Sequence, residues 1–175
     1  MPWLALVLLP LLVSAAIAGA SAAPWLPTRQ RERHSLLSQI SFTGVQTVID
    51  LGCGDGTVLF AIARRYPNIQ AIGYDISLVP LIIGWTRKLL SPRAYCNVHL
   101  RFKNLFFAPL AGADLVFVFL LAKAYKRLVA KCKNELPNHA RLVVEAWPLP
   151  DLVPSETLRN EQTLPVFVYR KAALG

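Results

Sequence analysis

From residue 28 onward, short apolar runs alternate with longer stretches in which apolar positions recur at helical spacing. The spacing predicts a short amphipathic helix over 28–40, capped by Thr28, with Leu36, Leu37 and Ile40 on its apolar face. Apolar runs predict strands over 47–51, 70–75, 98–103, 114–120 and 141–147. Helical periodicity predicts helices over 57–66, closed by Pro67-Asn68, over 78–90, closed by Ser91-Pro92, and over 122–136. Residues 156–171 read as an irregular hairpin ending in a strand over 165–169. Strands that alternate with helices of about ten residues or more give βαβ units, whose crossovers are right-handed. The expected fold is therefore α/β, a Rossmann-like, doubly wound and mostly parallel sheet.

The front of the chain follows a different pattern. No charged side chain occurs between Met1 and Thr28, and residues 2–23 are dominated by Leu, Val, Ile and Ala. As a helix, such a run spans a hydrocarbon core of roughly 30 Å. Ala20-Ser21-Ala22 has the small-residue pattern of a signal-peptide cleavage site, but no Lys or Arg precedes the apolar run. Arg29, Arg31 and Arg33 follow it instead, which under the positive-inside rule places the following domain on the cytoplasmic side. The expectation is a hydrophobic membrane anchor and Pro-rich linker over 1–27, with one globular domain over 28–175. The chain would then be a single-pass membrane protein, in a mitochondrial membrane if the source is eukaryotic.

Composition adds little to this division. The net charge of +9 suits anionic headgroups near an anchor, and no compact basic run with interleaved aromatics marks a nucleic-acid partner. Cys53, Cys96 and Cys132 form no C-x-x-C pair, so neither a disulfide framework nor a zinc site is expected. No other metal site is read from the sequence.

The chemistry gathers in Asp-Leu-Gly-Cys-Gly-Asp-Gly, from Asp50 to Gly56, between the first strand and the helix that opens at Thr57. Ligands of doubly wound sheets sit at the carboxyl ends of the strands, beside the topological switch point. The G-x-G-x-x-G dinucleotide fingerprint fails, because the sixth position from Gly52 is Thr57. An acidic residue followed by alternating Gly52, Gly54 and Gly56 resembles instead motif I of the class I S-adenosylmethionine-dependent methyltransferases. A second acid, Asp75, ends the next strand, 19 residues after Gly56.

That resemblance implies S-adenosyl-L-methionine as cofactor. It implies that Asp50 faces the cofactor's charged amino-acid end and that Asp75 hydrogen-bonds the ribose hydroxyls. Asn104, after the third strand, would contact the adenine amino group, although an Asn here also suits a turn. Tyr74 and Ile76 would give apolar cover to the adenosine. Cys53 packs between glycines as a small hydrophobe. Methyl transfer from a sulfonium needs little acid–base chemistry, and no catalytic residue is assigned. The chain reads Phe117-Val-Phe-Leu-Leu-Ala after the fourth strand, without the Asn-Pro-Pro-Tyr or Asp-Pro-Pro-Tyr of adenine and glutamine methylases.

The wider layout resembles a narrower family. The apolar start leads into Pro24-Trp-Leu-Pro-Thr28, motif I, Ala71-Ile-Gly-Tyr-Asp75, Phe102-Lys-Asn-Leu-Phe106 and Arg141-Leu-Val-Val-Glu-Ala-Trp-Pro-Leu-Pro150. It is similar to the mitochondrial lysine methyltransferases of the ATP synthase c subunit and the adenine nucleotide translocase, and to their prokaryotic relatives. Asn104 stands where that family leads one to expect aspartate, and Glu145-Ala146 where it leads one to expect a more basic stretch. The resemblance implies a membrane-protein lysine as acceptor and the lipid bilayer as a second partner. Phe106 and Trp147 would line an acceptor channel or pack in the core, and Glu145 would orient an ammonium or lie at the surface. Two alternatives stand beside this one: a methyltransferase for a small lipophilic molecule, and a non-catalytic cofactor-binding membrane scaffold.

Overall fold

In a computed structural model, which describes Leu9, residues 30–160 and residues 162–175, the apolar runs become strands and the periodic segments helices. The order is α1 (Gln30–Gln39), β1 (Thr47–Leu51), α2 (Thr57–Arg65), β2 (Gln70–Asp75), α3 (Leu78–Leu90), β3 (Val98–Phe102), β4 (Leu115–Val118), α4 (Tyr125–Glu135), β5 (Arg141–Glu145), β6 (Glu156–Leu158) and β7 (Val166–Arg170). Short 3-10 turns at Leu105–Phe107, Ala122–Ala124 and Lys171–Leu174 join or close these elements. Thr28, the expected cap of α1, and the expected anchor over 1–27, Leu9 apart, lie outside the described residues. Among the described residues no helix is long and apolar enough to cross a membrane.

The strands form one sheet in the order β3-β2-β1-β4-β5-β7-β6. β1 to β5 run parallel, whereas β7 pairs antiparallel with both β5 and β6. The strand order reverses between β1 and β4, so the switch point lies beside the loop that follows Leu51.

Alternating side chains of β1 serve opposite faces of the sheet, as the two-residue strand period requires. Ile49 and Leu51 pack with Leu128 and Cys132 of α4. Val48 packs on the other side with Leu59 and Ile62 of α2 and Leu36 and Leu37 of α1. Leu59 and Ile62 are fully buried, each worth about 1.5–3 kcal/mol of apolar transfer. Two helical layers thus fix the sheet between them and leave the carboxyl ends of β1, β2, β4 and β5 to build a site.

Several expected boundaries shift for local reasons. The expected helix over 122–136 begins as a 3-10 turn, and the regular helix opens only at Tyr125. β5 stops at Glu145 because Ala146 takes φ 77°, which turns the chain away from the sheet.

Candidate active site

Gly52, Gly54 and Gly56 all adopt positive φ, at 92°, 55° and 73°. That region disfavours side-chain-bearing residues, so the alternating glycines are what allow the chain to leave β1 and enter α2 in five residues. The loop is then tied to β2. The Gly52 and Cys53 N–H groups donate to the Tyr74 carbonyl at 2.8 and 3.2 Å.

Asp75 completes the tie. Its Oδ2 accepts from the Gly54 N–H at 2.8 Å, and its Oδ1 accepts from the Ser77 N–H at 2.7 Å. One carboxylate thus fixes the glycine loop and the entrance to α3 together. Each oxygen keeps a second lone pair for a ligand. Ile76 lies between these two anchor points and is half-buried.

Asp50 differs from Asp75. It is buried, at 7% exposure, and has no salt-bridge partner among the described residues. Loss of solvation, followed by the nearby charges of Asp75, Glu145 and Asp55, pushes its carboxyl up to about 8. Glu145, at the end of β5, is pushed up to about 7 by burial and by Glu32. Asp55 has found a cation: Arg87 Nη2 donates to its Oδ2 at 3.2 Å, while Arg87 Nη1 donates to Thr57 Oγ1 at 3.0 Å. The site therefore gathers carboxyl groups of which, among the described residues, Asp55 alone has a salt-bridge partner. Among the described residues these acids are not grouped as a metal site. They fit an organic cation, and Gly52 is the exposed residue of the glycine loop beside them.

Cys53 is buried, and desolvation raises its thiol well above the usual range, so it sits as a neutral packing group. Asn104 is half-buried and caps the 3-10 turn after β3, its Oδ1 accepting from the Phe106 N–H at 2.9 Å. Its side-chain amide group and the second lone pair of Oδ1 remain available. Tyr74 is buried within the core. Phe106 is buried beneath Arg127, whose guanidinium carbon lies 3.9 Å from the ring centroid.

Trp147 is half-exposed and stacks on Phe119 at 6.3 Å, with the ring planes 6° apart. Its carbonyl accepts from the Tyr125 hydroxyl at 3.0 Å, which fixes the turn that presents it. This aromatic pair stands at the ends of β4 and β5, next to Glu145.

Three contributors escaped the sequence reading. Gly73 leaves room for Cys53: a Cβ there would lie 2.6 Å from the Cys53 sulfur and 2.7 Å from Leu59 Cδ1. Its signal was visible, since glycine within a strand marks a close approach. Arg87, one of two cations in the last turn of a mostly apolar helix, gave a weaker one. Phe119 had no distinguishing feature in sequence.

Residues 50–156, more than half the chain, match the family model described as the ANTKMT methyltransferase domain. The chain is 34% identical over 109 residues to the adenine nucleotide translocase lysine N-methyltransferase of Mus musculus, covering 61% of this chain and 46% of the relative. It thus spans about half the length of that relative. A protein-lysine N-methyltransferase of Saccharolobus islandicus is 24% identical over 141 residues, covering 79% of this chain and 85% of its own. A trans-aconitate 2-methyltransferase of an Azoarcus species is 30% identical over 117 residues, covering 67% and 40%. Among solved structures, an RNA methyltransferase from Salinibacter ruber bound to S-adenosyl-L-homocysteine superimposes with a TM-score of 0.72. It is 22% identical and covers 83% of this chain and 93% of its own. The motif I loop, the acid closing β2 and the family match over 50–156 converge, and the chain belongs to the ANTKMT methyltransferase-domain family of S-adenosylmethionine-dependent methyltransferases.

Proposed function

We propose that this chain transfers a methyl group from S-adenosylmethionine to the side-chain nitrogen of a lysine in a membrane protein. The observation that carries the reading is the pair of buried carboxylates, Asp50 and Glu145, gathered with Asp75 at the strand ends beside a glycine loop. The cofactor, when bound, supplies a methyl group on a positively charged sulfur together with a cationic ammonium. Asp50 faces that ammonium, and Asp75 holds the ribose with the lone pairs its backbone contacts leave free. The backbone of Gly52, Cys53, Gly54 and Gly56 lies against the cofactor, Ile76 covers the adenosine and Asn104 meets the adenine edge.

A lysine acceptor arrives protonated and is unreactive until it becomes a neutral amine. Glu145, with its carboxyl pushed up to about 7, would orient the ammonium and take its proton. The neutral amine would then be able to take the methyl group that the bound cofactor supplies, a C–N bond replacing the C–S bond and a neutral thioether being left. Trp147 and Phe119 guide the methylene stem. Support for a protein lysine comes from the mouse and archaeal relatives, whose names give them that acceptor. Support for a membrane setting comes from the uncharged apolar stretch before Thr28, read as a single-pass anchor with the domain on the cytoplasmic side.

The relatedness to a trans-aconitate methyltransferase supports a second reading, a small-molecule acceptor, which an anchored domain would meet as a lipophilic molecule dissolved in the membrane. Radiolabelled methyl transfer into membranes of the source organism separates the two. A labelled protein band, lost with Asp75→Ala, supports lysine methylation. Label only in the organic extract supports the small acceptor. Cofactor binding without label anywhere removes the catalytic reading in favour of a scaffold.

A further inference from the structure

α3 is built inside out. The arc that faces the sheet carries Pro80, Leu81 and Gly84, but it also holds the helix's two cations. Arg87 turns inward to Asp55, and Lys88 donates to the Val98 carbonyl. The outward arc carries Val79, Ile82, Ile83, Trp85, Leu89 and Leu90, all exposed, with Leu89 and Leu90 each at 78%. Thr86 is the one polar side chain on that arc, and its hydroxyl turns back to the Ile82 carbonyl at 2.8 Å. The Trp85 indole N–H donates to the Leu100 carbonyl at 3.1 Å, which lays the ring along edge strand β3. Phe102, 54% exposed at the end of β3, extends the apolar surface. A surface helix ordinarily shows the reverse arrangement, with its apolar stripe inward. A contiguous exposed apolar face marks an interaction surface.

Charge selects the partner. No Asp or Glu occurs between Asp75 and Asp114, while Arg93 is exposed just after α3, and Arg101, whose guanidinium carbon lies 6.0 Å from the Tyr74 ring centroid, and Lys103 are exposed along β3 and at its end. A second copy of the chain, docked face to face, would bring like charges together. The chain's own residues 1–28 carry no charged side chain and would leave these cations without partners. A bilayer with anionic headgroups satisfies both features: acyl chains receive the leucines and isoleucines, and phosphates receive the rim of Arg and Lys. Trp85, apolar with one polar N–H, is the residue type favoured at that depth.

We propose that the α3 face and the adjoining β3 edge dock on an anionic membrane surface, independently of the N-terminal segment and of the identity of the methyl acceptor. Because Ser77 opens α3 and binds Asp75, this face begins at the cofactor site, and docking sets the site at the headgroup level.

The test reads the α3 face alone, so that attachment through residues 1–28 does not obscure it. Full-length Leu89→Cys protein, in a Cys96→Ser background that leaves Cys53 and Cys132 buried, is labelled at position 89 with an environment-sensitive fluorophore. It is then mixed with phosphatidylcholine vesicles, with or without phosphatidylglycerol. The expected result is a blue shift and quenching by lipid-borne quenchers that require phosphatidylglycerol. Arg93→Gln should raise the lipid concentration for half-maximal shift on the order of five-fold. A label that stays solvent-exposed on phosphatidylglycerol vesicles overturns the proposal. Shielding without vesicles overturns it too, assigning the face to a second copy if it fades on dilution and to the chain's own segment if it does not. Methyl transfer by the same samples is scored separately, so loss of docking and loss of the catalytic reading remain distinct.

Discussion

The carboxylate of Asp75 accepts the Gly54 N–H at 2.8 Å, linking the end of β2 to the middle of the glycine loop. The same carboxylate accepts from Ser77, so a single side chain sets the spacing between loop and α3. A hydrogen bond to a charged acceptor is worth about 1.5–3 kcal/mol when its loss leaves the donor unsatisfied.

Asp75→Ala should therefore lower cofactor affinity at least ten-fold and reduce stability by about 1–3 kcal/mol. Asp75→Asn should fall between it and the natural protein. Calorimetric titration and urea unfolding measure the two effects. Unchanged affinity in Asp75→Ala would remove Asp75 from the cofactor site.

Gly73→Ala should destabilise the fold by about 1–3 kcal/mol, since the new methyl would meet both Cys53 and Leu59 in a close-packed region. Cys53→Ala in the same chain should restore part of the loss by removing the sulfur. Thermal unfolding of the single and double variants shows whether the two positions couple.

Asp50 sets a pH dependence of definite sign. Its folded-state carboxyl is raised from 3.8 to about 8, so its contribution to stability is complete below the lower value and lost as pH rises through the upper one. Without cofactor, the protein should become less stable across that window, and Asp50→Asn should flatten the decline. A cationic cofactor favours the ionised form. Binding at neutral pH should then release up to about one proton from Asp50, and affinity should rise with pH towards 8. Calorimetry in buffers of different ionisation enthalpy counts the protons; no release would mean that Asp50 does not face the cation.

Ala146, at φ 77°, holds a tight turn in which the Trp147 N–H donates to the Glu145 carbonyl at 3.2 Å. A β-branched residue is strained there, so Ala146→Val should lower stability by about 1–3 kcal/mol, while Ala146→Gly should leave it unchanged or slightly raised. Thermal unfolding checks the pair. If both variants behave alike, backbone strain is not what the position controls.

The chain pattern by itself determined the α/β class, the order of five parallel strands and their helices, and the loop from Asp50 to Gly56. These are local properties. Strand and helix periods are written within a few residues, and alternating glycines announce a backbone that must take positive φ. It also placed Asp75 at a strand end, because one helix and one strand fill the interval from Gly56. Only the tertiary structure decided that β7 inserts antiparallel between β5 and β6, since pairing partners distant in sequence leave no mark in either strand alone. It alone brought Glu145 close enough to Asp50 to raise its carboxyl, set Trp147 on Phe119, and sent Arg87 across to Asp55. The outward apolar face of α3 belongs to the same group. Helical spacing marks Leu89 and Leu90 as apolar, but only packing against the sheet decides which side of the helix is left facing out.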